Sequence, residues 1–141
     1  MIKKSIVLTV LSAVSLVARA GVVNIDNAYL ERLAAEGVRI VDIRTEPEWR
    51  ATGVIAGSKL LTFVDEKGQI DVSDWLSKVK LAVKASEPVI LICRSGSRSR
   101  AATQLLSEKA GYKTVYNATT GLNSWIAEGR PVVPPGSVMK R

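Results

Sequence analysis

Apolar positions in this 141-residue chain alternate between two periods, one of strands and one of helices. Residues 22–25 read as a short strand, and Asp26 can cap the helix that follows over 27–36. In that helix Leu30, Leu33 and Ala34 share one face, and Gly37 ends it. Residues 38–43 are a β-branched run, nearly continuous in apolarity, as expected of a strand buried on both faces. A helical turn over 45–49 tolerates Pro47 early in it. Gly53 and Gly57 then mark a turn before the apolar stretch 60–64, and 65–68 form a second turn. Ser73 is the expected cap of a helix that lines up Leu76, Val79 and Val83. Pro88 precedes a second buried strand, 89–93, and a helix over 99–110 closes at Gly111. A third strand over 113–116 and a last helix over 121–128 complete the pattern. Strands alternating with helices predict an α/β domain with a mainly parallel sheet. The three prolines after Arg130 predict a surface tail over 131–141.

The first twenty residues stand outside this pattern. Met1 to Lys4 are basic, residues 5–17 are apolar and uncharged, and Ala18-Arg19-Ala20 offers small residues at both cleavage positions. This is the three-part layout of a secretory signal peptide cut after Ala20. The apolar run falls short of the ~20 residues that a membrane span needs. The reading implies a periplasmic or secreted protein, without stable membrane insertion after cleavage. Loss of Lys3, Lys4 and Arg19 lowers the formal net charge from +7 to +4. That mild basic excess suits small anions, and no basic stripe with interleaved aromatics points to nucleic acid.

Composition narrows the chemistry sharply. Histidine is absent and Cys93 is the single cysteine. Ser-His-Asp and Cys-His catalysis, zinc fingers and haem-histidine sites are therefore excluded, as is an intramolecular disulfide. Asp65, Glu66, Asp71 and Asp74 lack the spacing of a calcium loop, so neither metal nor cofactor is expected. Asn117-Ala118-Thr119 matches a glycan acceptor in pattern alone, and Lys78, Lys80 and Lys84 read as a solvated helix face.

What chemistry remains gathers at residues 93–98. In parallel α/β sheets ligands bind beyond the carboxyl ends of the strands, near helix N-termini. Cys93 closes the strand Val89-Ile90-Leu91-Ile92 and is followed by Arg94-Ser95-Gly96-Ser97-Arg98 and then Ser99. A glycine-centred loop can turn successive N–H groups inward as an anion nest, and the next helix adds its positive end. Arg94 and Arg98 add full charges, and such surroundings favour a thiolate. A lone cysteine ending an apolar strand is ordinarily a small buried hydrophobe. A core residue, however, has no need of a glycine-centred cationic loop after it, so Cys93 is read as reactive.

With these motifs the chain resembles the single-domain rhodaneses, thiosulfate sulfurtransferase-like proteins of the exported kind. The resemblance rests on Val41-Asp42-Ile43-Arg44 with Glu46 and Glu48-Trp49, on Gly53 to Ser58, and on the Cys93–Arg98 loop, which is the specific element. Gly111-Tyr112 and Gly121-Leu122 before Trp125 complete it. Two positions depart from the family: residues 54–58 replace a common His-Ile-Pro-Gly-Ala, and Thr120-Gly121 replaces a Gly-Gly pair. The resemblance implies a rhodanese-like domain over 21–130, with a central, mainly parallel sheet flanked by helices. It implies sulfur transfer from thiosulfate or a related small anionic donor to cyanide or a thiol, through a Cys93 persulfide. Arg94, Ser95, Gly96, Ser97, Arg98 and Ser99 would hold the substrate. Asp42 and Arg44 are expected to form an ion pair bracing the strand end, and Trp49 and Trp125 to serve packing. A monomer is the simplest assembly. Two alternatives stay open: a cysteine phosphatase or arsenate reductase on the same architecture, and a non-catalytic sulfur-carrier or binding module. The first needs an arginine six positions after the cysteine, where this chain has Ser99.

Overall fold

A computed structural model describes residues 21–139; the signal-peptide reading of residues 1–20 lies outside the described residues. Five strands and six helices follow in the order β1 (Gly21–Ile25), α1 (Asn27–Ala35), β2 (Arg39–Asp42), α2 (Glu46–Thr52), β3 (Lys59–Leu60), α3 (Val72–Ala82), β4 (Val89–Ile92), α4 (Ser97–Lys109), β5 (Thr114–Ala118), α5 (Gly121–Ala127) and α6 (Gly136–Met139). The strands form one sheet in the order β1-β5-β4-β2-β3, and every pairing is parallel. The fold is the α/β arrangement that the alternation predicts.

β4 lies at the centre, and all four of its residues are buried. The two-residue period of a strand sends Val89, Leu91 and Cys93 to one face and Ile90 and Ile92 to the other. The first face packs with Trp75 and Val79 of α3 and Ala102 and Leu106 of α4. The second packs with Leu30 and Leu33 of α1 and Leu122 and Trp125 of α5. A strand covered on both sides cannot alternate with polar residues, which is why the Val-Ile-Leu-Ile run is continuous. Each such side chain contributes ~1.5–3 kcal/mol on burial, enough to fix which strand is central.

Local details correct several boundaries. Asp26 caps α1 as expected, accepting a hydrogen bond from the Tyr29 N–H at 2.8 Å. The cap of α3 is Asp71 rather than Ser73: its carboxylate accepts from the Asp74 N–H at 3.0 Å, starting the helix at Val72. A carboxylate beside the positive helix end outcompetes a hydroxyl. The stretch 60–64 pairs as a strand only at Lys59–Leu60, although Leu61 and Phe63 still donate to the carbonyls of Asp42 and Ile43. The third expected strand runs over Thr114–Ala118, displaced towards the C-terminus from 113–116.

Residues 131–139 lie on the surface but are anchored to the body. Val54 and Val133 exchange two backbone hydrogen bonds in an antiparallel bridge, and the Trp125 indole donates to the Pro131 carbonyl at 2.9 Å. Among the described residues no helix is long and apolar enough to cross a membrane.

Candidate active site

The register aligns Asp42 of β2 with Ile92 of β4, and Leu91 of β4 with Asn117 of β5. The carboxyl ends of three neighbouring strands therefore meet at Cys93, the first residue beyond β4. Strand geometry ends at Ile92, and α4 begins at Ser97, two residues before the expected Ser99, with Gly96 as its N-cap. Only three residues, Arg94 to Gly96, separate Cys93 from that helix. So short a turn requires a left-handed residue, and Gly96 supplies it at φ 106°.

Cys93 is fully buried, and its Sγ lies inside the turn. It accepts N–H bonds from Gly96 at 3.1 Å and Ser99 at 3.4 Å, and lies 3.4 Å from the Ser99 hydroxyl. Among the described residues the N–H groups of Arg94, Ser95, Ser97 and Arg98 have no partner in the protein. First-turn N–H groups of a helix are left without intrahelical acceptors, so this rim can solvate an anion.

Two glycines lock the turn in place. A Cβ on Gly96 would lie 2.0 Å from the Thr119 carbonyl oxygen, and one on Gly121 would lie 2.3 Å from that of Arg94. The close approach lets the first N–H groups of α5 reach the loop. Leu122 donates to the Cys93 carbonyl at 2.9 Å and Asn123 to that of Arg94 at 3.1 Å. The departure from a Gly-Gly pair thus falls at the tolerant position: Thr120 has an ordinary φ of −105°.

The expected Asp42–Arg44 pair is present and almost wholly buried, 2.7 Å from Nη2 to Oδ2. Arg44 also donates to Thr52 Oγ1 and to the Gly53 carbonyl, and the Trp49 indole donates to Asp42 Oδ1. This knot ties α2 to the end of β2. Trp49 and Trp125 are both buried, as packing residues should be.

The arginines of the loop differ from one another. Arg98 donates both Nη groups to Glu48 on α2, at 2.7 and 2.8 Å. This pair lowers the Glu48 carboxyl to about 2, against desolvation that works the other way, and raises Arg98 further. Glu48 also closes the capping box of α2 through Thr45. Of the two arginines expected to hold substrate, Arg98 has its guanidinium paired with Glu48 on α2, while its backbone N–H stays on the rim. Arg94 is exposed, makes no side-chain hydrogen bond or ion pair among the described residues, and lines a cleft of about 350 Å³ with Pro47, Glu48, Ala51, Thr52 and Asn123. Ser95 and Ser97 are exposed on the rim, whereas Ser99 is buried behind the sulfur.

Sequence reasoning missed Asn117 and assigned no role to Glu48. Asn117 is 1% exposed, which removes it as a glycan acceptor in the folded chain. It lies one residue past the strand expected at 113–116, and the extension of β5 to Ala118 puts it on the face that carries Val115.

Residues 26–128 match the family description "Rhodanese-like domain". The chain belongs to the rhodanese family. Among its relatives, a protein named "Sulfurtransferase" from Allochromatium vinosum is 33% identical over 107 residues, covering 74% of this chain and 88% of the relative. "Thiosulfate sulfurtransferase 18" of Arabidopsis thaliana is 28% identical over 116 residues, 79% of this chain and 83% of the relative. A crystal structure of a rhodanese-related protein from Thermoplasma volcanium superposes with a TM-score of 0.61 at 31% identity, over 79% of this chain and 97% of that one. Rhodanese membership and these names support a sulfurtransferase-like enzyme.

Proposed function

We propose that this rhodanese transfers sulfane sulfur from thiosulfate, or a similar small anionic donor, to cyanide or a thiol through a persulfide on Cys93. The observation that carries the proposal is the buried Sγ held by two N–H groups, inside a turn whose remaining N–H groups are unpaired. The Cys93 thiolate attacks the outer sulfur of thiosulfate; the S–S bond to the sulfonate group breaks, and sulfite leaves with the bonding pair. The cysteine now carries Sγ–S⁻, its charge on the outer sulfur, where the rim N–H groups solvate it. Cyanide or a thiolate attacks that sulfur, the Sγ–S bond breaks, and Cys93 returns as thiolate while thiocyanate or a new persulfide departs. This is covalent catalysis in two half-reactions, and a pre-formed thiolate needs no general base. That suits a chain without histidine. Arg94 guides the anion to the rim, and the Asp42–Arg44 pair and Arg98–Glu48 pair hold the walls.

The test is intact-protein mass after incubation with thiosulfate and removal of excess, followed by cyanide and a thiocyanate assay. One added sulfur atom, absent in Cys93→Ser and discharged by cyanide, is expected. An unchanged mass together with no thiocyanate refutes the thiosulfate reading; turnover of phosphate esters or arsenate by the same sample would replace it. The proposal also places the protein in the periplasm or outside the cell, with the pattern of residues 1–20 as its support. Protein isolated from the exported fraction should begin at Gly21, and an intact Met1 on that protein would overturn this.

A further inference from the structure

Behind Cys93 lies a polar chain for which the sulfur-transfer scheme has no use. Ser99 Oγ is 3.4 Å from Sγ and 2.7 Å from Asn117 Oδ1, and Asn117 Nδ2 is 3.1 Å from Asn24 Oδ1. Ser99 and Asn117 are buried, while Asn24 is exposed at the surface of β1. In the structure Asn117 Nδ2 donates to Asn24 Oδ1, which turns Asn117 Oδ1 towards Ser99. The single Ser99 proton then goes to Asn117 Oδ1, its shortest contact, with the Gly96 carbonyl at 3.1 Å as the other acceptor. The Ser99 oxygen is left facing Cys93 with lone pairs. In that arrangement the S–H of a thiol donates to Ser99 Oγ.

We propose that Asn117 is a positioning residue that latches the Ser99 hydroxyl, which turns towards Cys93 only when the sulfur is a thiolate. The inference rests on the persulfide reading above. In the thiol the hydroxyl is latched on Asn117. When the proton leaves to solvent, the hydroxyl swings to donate to Sγ and gives up its bond to Asn117. When the persulfide forms, the charge moves to the outer sulfur and the hydroxyl returns. Each departure of Sγ as a leaving group thus coincides with one hydroxyl rotation. The charged groups on the elements around the sulfur are Arg94 and Arg98 of its own loop and helix, the exposed Arg100 on α4, the Asp42–Arg44 pair at the end of β2, and Glu48 on α2. β5 and α5 bring only the uncharged Asn117, Ala118, Gly121 and Leu122. None of these charges changes in the variants below.

The experiment follows the ultraviolet absorbance of the Cys93 thiolate against pH in the mature protein, with Cys93→Ser subtracted. It needs no sulfur donor, so it reads the latch even if thiosulfate proves to be the wrong substrate. Asn117→Leu frees the hydroxyl for the sulfur, and the midpoint should fall by about half a pH unit or more, because a hydrogen bond to the charged form favours it. With Ser99→Ala in the background, the same Asn117→Leu change should leave the midpoint unmoved. Asn24→Ala, at an exposed position, is the second variant should Asn117→Leu not fold. It unpins the amide and should give a smaller fall, again absent with Ser99→Ala. An unmoved midpoint in the Ser99 protein, or equal shifts in both backgrounds, would overturn the latch.

Discussion

Replacing Gly121 by alanine tests how the loop is held. The new Cβ would stand 2.3 Å from the Arg94 carbonyl oxygen, 2.4 Å from its carbon and 2.6 Å from the Ser95 nitrogen. All three are backbone atoms, so no rotamer relieves the clash, and either the loop or α5 must move. Gly121 also has φ 67°, which costs an L-residue ~1–2 kcal/mol. Overpacking against fixed atoms adds ~1–3 kcal/mol. Together these predict a loss of ~3 kcal/mol, which a domain of ordinary stability survives folded. Retreat of α5 would also strain the Leu122 and Asn123 bonds to the carbonyls of Cys93 and Arg94. A displacement of ~1 Å at the sulfur costs on the order of a hundredfold in rate. Urea unfolding and the thiocyanate assay should therefore both register Gly121→Ala, whereas Thr120→Gly, at an exposed residue with φ −105°, should change stability by less than ~1 kcal/mol. Wild-type stability and rate in Gly121→Ala would refute the interlock.

Three further outcomes follow from the same geometry. Glu48→Gln should destabilise the protein at neutral pH by ~1 kcal/mol: the fall from 4.5 to about 2 is nominally ~3 kcal/mol, discounted because solvent reaches the pair. Since the folded value is the lower one, that contribution is complete above pH 4.5 and disappears as pH falls through 2, so denaturation curves of the two proteins should converge there; a constant gap would contradict the assignment. Arg94→Ala should raise the KM for thiosulfate roughly tenfold and weaken its salt dependence while leaving the melting temperature unchanged, because a charge-assisted contact is lost from an exposed residue; an unchanged KM would remove Arg94 from donor binding. Burial of Sγ predicts that a bulky aromatic disulfide reacts with native Cys93 far more slowly than with the urea-unfolded chain, and equal rates would contradict the enclosed site.

The alternation of periods made the fold legible because both faces of β4 are covered, and only an unbroken apolar run satisfies that. Boundaries were less legible wherever two residues compete for one role, as Asp71 and Ser73 do for the cap of α3. In the site, the Cys93–Ser99 segment was readable because its chemistry is local: a turn, a helix start and a thiol within seven consecutive residues. What could not be read comes from elsewhere in the chain. Glu48 meets Arg98 across fifty positions, and Asn117 meets Ser99 only through the register of β4 with β5.

That distinction changes the electrostatic picture of the pocket. Arg94 and Arg98 flank the loop after the cysteine, Arg100 follows them, and Arg44 ends the neighbouring strand in the motif. The fold withdraws two of them. Asp42 holds Arg44 in the wall, and Glu48 holds Arg98 against α2, so each cation is matched by a carboxylate. Arg100 is exposed on α4, leaving Arg94 as the unpaired cation on the cleft. In the proposed scheme a donor is drawn in by this one exposed charge and held by backbone N–H groups, whose directions are set by the turn rather than by side-chain rotamers. Such N–H groups would stabilise the charge that the proposed scheme places on the outer persulfide sulfur between its two half-reactions.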